Sequence, residues 1–111
     1  MIVVVTSGKA ACGGLLRDAQ GNCLKIFHVE LGNCNALWTE IWSLKWGIKV
    51  AREARYQRVM IDMDSLVAVN IIRSGCSNST QLHPLVKDIV HSLALPNGTI
   101  KLNHSYRGAK P

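Results

Sequence analysis

Two aspartates, Asp62 and Asp64, stand two residues apart in the stretch RVMIDMDSLVAV, residues 58–69. Apolar Val59, Ile61 and Met63 alternate there with Met60, Asp62 and Asp64, so a strand would turn its apolar residues one way and both carboxylates the other. A carboxylate at a strand end is held on target by the sheet behind it, which suits it to chemistry. The same Asp64-Ser65 pair also precedes a helix, and either side chain can cap that helix's unpaired N–H groups. A further carboxylate, Glu40, flanks an apolar helical stripe, three residues after Leu37 and four before Leu44. It must reach water along the stripe's edge or share a site with other polar groups. Lys45, Lys49, Arg52, Arg55 and Arg58 follow. Cations suit a helix C-terminus electrostatically, and Lys45, Lys49 and Arg52 are also candidates for contacting a nucleic-acid backbone.

The elements that must position these residues follow from periodicity. Residues 2–5 (IVVV) are β-branched and read as a strand. Residues 10–17 (AACGGLLR) read as another, with Gly13-Gly14 marking a bulge or a close backbone approach. Residues 18–22 (DAQGN) form a turn, and residues 23–31 return as a third strand, antiparallel to the second. Asn35 is placed to cap a long helix over residues 36–55, whose buried stripe is Leu37, Ile41, Leu44, Ile48 and Ala51. Trp38, Trp42 and Trp46 make a second stripe beside it, suited to packing. The strand over residues 58–64 comes next, and its helical connection implies a parallel neighbour. Helices are expected over residues 65–74 and 82–95, separated by a polar loop at 77–80. Pro84 falls in the first turn of the second of these, where its missing N–H does little harm. Pro96-Asn97-Gly98 is a turn, and residues 99–106 alternate as a last strand. The order β-β-β-α-β-α-α-β predicts an α/β mixed sheet with helices packed on it.

Composition narrows the classes. The 111 residues suit one domain, residues 1–111, and the net charge of +6 favours a polyanionic partner such as nucleic acid. No stretch approaches the ~20 apolar residues of a membrane span. MIVVV is too short for a secretory apolar region, so an intracellular location, nucleus or cytoplasm, is expected. Cys12, Cys23, Cys34 and Cys76 form no Cys-x-x-Cys pair and read as reduced thiols, while no histidine has zinc-ligand spacing. Residues 7–14 (SGKAACGG) lack the Gly-Lys-Ser/Thr order of a phosphate loop.

Taken together, the Gly-Gly-x-x-Arg-Asp hairpin, the helix carrying Glu40 and the strand ending at Asp64-Ser65 resemble the type-1 ribonuclease H fold. The resemblance is to the plant ribonuclease H-like family of retrotransposon-derived and reverse-transcriptase-like proteins. It runs through AACGGLLRDAQGN (10–22), ALWTEIWSLKWGIKVA (36–51), RVMIDMDSLVAVNII (58–72), HPLVKDIV (83–90) and IKLNHSYR (100–107). It implies Mg²⁺-dependent endonucleolytic hydrolysis of RNA in RNA–DNA hybrids. Hard divalent ions need several oxygen ligands, one metal activating water and the other stabilising the leaving oxygen. By the resemblance Glu40 matches the family's helix glutamate and Asp64 its strand-end aspartate. His104 matches a histidine that assists proton transfer or product release, and Asp62 is a neighbour without a ligand role.

The departures from the family pattern are specific. Thr6-Ser7-Gly8 has serine where the family's first-strand aspartate is expected, and the link from Gly8 to Gly13 is shorter than usual. The family's last aspartate lies on a C-terminal helix, whereas His104-Ser105-Tyr106-Arg107 is followed here by only Gly108 to Pro111. The expectation is an incomplete domain with a weak Mg²⁺ site, little or no hydrolysis, and apolar surface available for self-association. A non-catalytic nucleic-acid-binding module and a structural fragment are the alternatives to an RNA–DNA hybrid ribonuclease or its remnant.

Overall fold

The computed structural model orders the elements as β1 (Ile2–Ser7), β2 (Cys12–Arg17), β3 (Cys23–Val29), α1 (Ala36–Glu53), β4 (Arg58–Met63), α2 (Leu66–Ser74), α3 (His83–Ala94) and β5 (Thr99–His104). It describes residues 1–7, 12–29, 36–75, 81–94 and 99–105. The Asn35 cap, the 77–80 loop, the turn at 96–98, Tyr106, Cys34 and Cys76 lie outside the described residues. The expected element order holds throughout. Among the described residues no helix is long and apolar enough to cross a membrane.

The sheet runs β3-β2-β1-β4-β5. β1 pairs antiparallel with β2, and β2 with β3, while β4 pairs parallel with both β1 and β5. One face carries Ile2, Val4, Leu16, Val59, Ile61 and Met63, all buried under the helices with Ile41, Leu44, Ile48, Ala51, Val69 and Ile89. Each such Val, Leu, Ile or Met side chain contributes about 1.5–3 kcal/mol when fully buried. On the opposite face Val3, Val5, Leu15 and Met60 are half-buried, and Ile26 on the edge strand is 73% exposed. Phe27, the next residue along β3, turns to the other face and packs against the core.

α1 meets the sheet through more than its apolar stripe. Thr39, Ser43 and Gly47 are buried on the side turned to β1 and β2, and Ser43 Oγ donates to the Thr39 carbonyl at 2.9 Å. A Cβ on Gly47 would lie 3.0 Å from Val4 Cγ1 and 3.6 Å from Thr6 Cγ2, so the helix seats against β1 because its residues there are small. The helix stops at Glu53, two residues earlier than its periodicity suggests. Arg55 adopts a left-handed φ of 63°, Tyr56 N–H donates to the Ala51 carbonyl at 3.3 Å, and Arg55 N–H donates to the Arg52 carbonyl at 2.9 Å. This pair of bonds is a Schellman cap closing the last turn.

Gly13-Gly14 is the close approach the sequence suggests, and the bulge falls instead between Leu16 and Arg17. A Cβ on Gly14 would lie against the Val5 carbonyl oxygen and 2.8 Å from Phe27 Cζ. That oxygen belongs to the central strand, so it has no room to yield. Gly14→Ala should lower the unfolding free energy by about 3 kcal/mol, the upper end of overpacking costs, as measured by urea denaturation.

The β2–β3 turn is built on Asp18. Its carboxylate accepts from the Asn22 backbone N–H at 2.9 Å, Asn22 Nδ2 at 3.1 Å and the Gln20 N–H at 3.0 Å. These bonds, the Asn22 backbone bond foremost, hold its pKa below the ordinary aspartate value. Because the folded value is the lower one, the turn's stabilisation is present above the unfolded pKa and lost as pH falls through the folded pKa. An NMR titration should give Asp18 a midpoint below that of an unfolded reference peptide, and Asn22→Ala, which removes the Nδ2 bond and keeps the backbone one, should move it only part of the way back up.

Candidate active site

Chain direction collects the candidate residues. β1, β3, β4 and β5 run one way and β2 the other. α1 leaves the end of β3 and delivers the chain to the start of β4, so it crosses the sheet in reverse. Its first turns therefore lie over the rim where β1 and β4 end. That rim receives half-buried Glu40 from α1, half-buried Asp64 directly after β4, and half-buried His104 as the last residue of β5.

His104 is held beside the end of β4 by the parallel ladder. Met63 is its register partner, and Ser105 N–H donates to the Met63 carbonyl at 2.8 Å. Arg73 at the end of α2 donates from Nη2 to the Leu102 carbonyl at 3.0 Å, tying that helix to β5 two residues before His104. In the sequence Arg73 reads as one more cation in a last turn, and no local pattern says that its guanidinium reaches a strand.

Of the Asp64-Ser65 pair, Ser65 takes the N-cap position of α2. It has extended backbone, φ −94° and ψ 107°, and its Oγ accepts from the Ala68 N–H at 3.2 Å. Of the two residues the sequence offers, the N-cap position falls to Ser65, because the N-cap residue has extended backbone one position before the helix and α2 begins at Leu66. Asp62 shares a sheet face with Met60, as expected, yet it is only 9% exposed and accepts from Asn103 Nδ2 at 3.3 Å. Its neighbours in register are Val5 and Asn103. Sequence alternation alone makes Asn103 an ordinary polar position of the last strand.

Lys45, Lys49 and Arg52 sit elsewhere. They lie farther along α1, away from the rim, and line a groove of about 280 Å³ between α1 and α3. Lys45 is paired with Asp88, and Arg52 Nη2 donates to the Ser92 carbonyl. The structure thus brings Glu40, Asp64 and His104 to one rim and sets the basic candidates in a separate groove.

The donor set at the rim does not match a two-magnesium centre. The β1–β4 register runs as far as Val5 and Asp62, and β1 ends two residues later at Ser7. The residue at the end of β1, where the family pattern has an aspartate, is Ser7, which brings no negative charge. Asp62 is committed to Asn103. Among the described residues no group of three His, Cys, Asp or Glu side chains is placed to hold a metal ion.

The sheet order, the reversed α1 and the carboxylate rim define a ribonuclease H-like domain. Solved structures agree on the fold. LC11-RNase H1 from compost, solved in complex with an RNA/DNA hybrid, superposes with a TM-score of 0.77 at 16% identity over 96% of this chain and 86% of that one. The N-terminal RNase H domain of rv2228c from Mycobacterium tuberculosis gives 0.76 at 16% identity over 96% and 87%. The protease-reverse transcriptase of prototype foamy virus gives 0.76 at 20% identity, covering 95% of this chain and 17% of its own. The sequence matches the reverse transcriptase-like family over residues 2–110, and the chain belongs to that family. A protein of Arabidopsis thaliana named "Putative ribonuclease H protein" is 33% identical over 102 residues, which is 92% of this chain. The chain spans 16% of that relative's length.

Capping gives the rim a testable dependence. Ser65→Ala should cost about 1 kcal/mol of stability and Ser65→Gly only a few tenths, because glycine is tolerated at an N-cap. Thermal unfolding of the two variants side by side checks this.

Proposed function

We propose that this chain is a single ribonuclease H-like nucleic-acid-binding domain that engages RNA–DNA hybrids or RNA and has weak or lost hydrolysis. The observation that supports the reading is the order of elements at the rim. There the first turns of α1 with Glu40, the residue after β4, Asp64, the last residue of β5, His104, and the last residue of β1, Ser7, lie at the same side of the sheet. In this reading Glu40 and Asp64 are the surviving half of an acidic site. A lone divalent ion can approach two carboxylates, but Mg²⁺ demands near-octahedral oxygen geometry and keeps its waters unless charge draws them off. In the same reading His104, the last residue of β5, assists proton transfer or product release. The complex of LC11-RNase H1 with a hybrid supports the choice of ligand, and the net charge of +6 supports a polyanion in general. The activity of the longer Arabidopsis relative stays part of the proposal, since this chain corresponds to a small share of it.

Purified protein incubated with a labelled hybrid and Mg²⁺ tests the reading. Hybrid binding that weakens steeply with salt is expected, because phosphate contacts release counterions, together with no clear cleavage. Ser7→Asp should raise the affinity for Mg²⁺ or Mn²⁺ at least tenfold, on the order of 1.4 kcal/mol or more. Endonucleolytic products from the wild type, abolished by Asp64→Asn, would overturn the loss of hydrolysis. Salt-independent or undetectable binding would favour a structural fragment.

A further inference from the structure

The groove between α1 and α3 has features that the rim does not use. Trp38, Trp42, Lys45, Lys49 and Arg52 follow one another at helical spacing along α1, on the side away from Ser43 and Gly47. The Trp38 and Trp42 rings meet edge to face with centroids 6.2 Å apart. Lys45 Nζ lies 5.8 Å from the centre of the Trp42 ring, and Lys49 Nζ lies 4.6 Å from that of Trp46. An ammonium resting on an indole face gains about 0.5–1 kcal/mol at an exposed site. It also loses rotamer freedom in advance, so less is lost when a ligand arrives. From Lys45 to Arg52 the row covers about 10 Å at the α-helical rise. Measured along a duplex axis, where each strand advances about 3.4 Å per nucleotide, that length corresponds to about three nucleotides.

The opposite wall carries Asp88 and Ser92 of α3, and Glu53 lies on α1 itself. Asp88 is half-exposed and paired with Lys45, so that lysine has a local anion as partner. Exposed pairs of this kind are worth roughly 0–1 kcal/mol, weak enough for a phosphate to take the carboxylate's place. Arg52 is anchored to Ser92 through Nη2 alone, and its Nε is buried with no acceptor. The groove thus sets three cations, Lys45, Lys49 and Arg52, against two carboxylates, Asp88 and Glu53.

We propose that this groove binds the phosphodiester backbone of a nucleic-acid strand. Lys49 and Lys45 contact the phosphates, Trp46 and Trp42 hold those lysines in place, and Asp88 is the carboxylate that a phosphate displaces. The inference rests on the reading of the domain as nucleic-acid-binding and adds a second contact surface, distinct from the rim. A purely structural role, in which Lys45–Asp88 and Arg52–Ser92 only fasten α3 to α1, makes opposite predictions for Asp88.

Fluorescence anisotropy with a labelled RNA strand and a labelled RNA–DNA hybrid, over a range of salt, tests it. Lys49→Gln should weaken binding and lower the salt slope by about 0.7 for the single strand and about 0.9 for the hybrid. Trp46→Leu should weaken binding about two- to fivefold, the equivalent of 0.5–1 kcal/mol of cation–π contact, with the slope unchanged. Trp46→Phe should recover part of the loss. Asp88→Asn should tighten binding severalfold, whereas a purely structural pair would leave binding unchanged and lower only the melting temperature. An unchanged affinity and slope for Lys49→Gln would overturn the proposal, as would displacement of the RNA by polyglutamate as effectively as by unlabelled RNA. If wild-type protein binds the hybrid and only the groove variants are silent, the groove falls and the rim reading stands. If it binds neither probe at low salt, both fall.

Discussion

The parallel pairing of β1 with β4 is the constraint on which the other features of the domain depend. Parallel neighbours cannot be joined by a turn, so the chain between them must leave the sheet and cross back over it. α1 makes that crossing after the β2–β3 hairpin has been laid on the other side of β1. The crossing helix has to lie close on β1, and it does so where Gly47 offers a small surface to Val4 and Thr6. Close seating of this face then carries Ile41, Leu44 and Ile48 into the core with Ile61 and Val69. Core and crossing therefore depend on each other.

The same pairing builds the rim. Because β1, β4 and β5 all end at one side and α1 starts there, side chains distant in sequence converge without any further device. The β4–β5 ladder and the Arg73–Leu102 bond fix His104 against the end of β4. Ser65 provides the helix cap immediately after Asp64, so strand end and helix start are joined with no loop between them. A rigid carboxylate position results. What the rim can do chemically is then governed by charge, and a serine as the last residue of β1 leaves it poorer in negative charge than paired magnesium ions require.

Charge elsewhere on the domain is arranged differently. On α1 the basic residues alternate with indole rings and face a helix that returns the Asp88 carboxylate and the Ser92 carbonyl. The C-terminal cations of a helix are favoured by its dipole wherever they point. Their seating on tryptophan, and the left-handed Arg55 that ends the helix beneath them, are properties of this fold rather than of helices in general.

Element order, apolar faces and the pair of strand-end carboxylates were all legible in the order of amino acids. Period-two alternation in residues 58–64 and the 3.6-residue stripe of α1 are local properties that survive folding. Gly13-Gly14 likewise announced a close approach, which Val5 and Phe27 supply. The family pattern was legible too, down to the serine at position 7. Folding was needed to settle which of Asp64 and Ser65 holds the cap, to bury Asp62 against Asn103, and to bring Arg73 onto the last strand as a brace. It also separated Lys45, Lys49 and Arg52 from the rim and seated two of them on indoles. The reason is one of range. Periodicity reports which side a residue faces, whereas a hydrogen bond or ion pair between positions 29 to 43 residues apart exists only once register and helix placement bring its partners within reach.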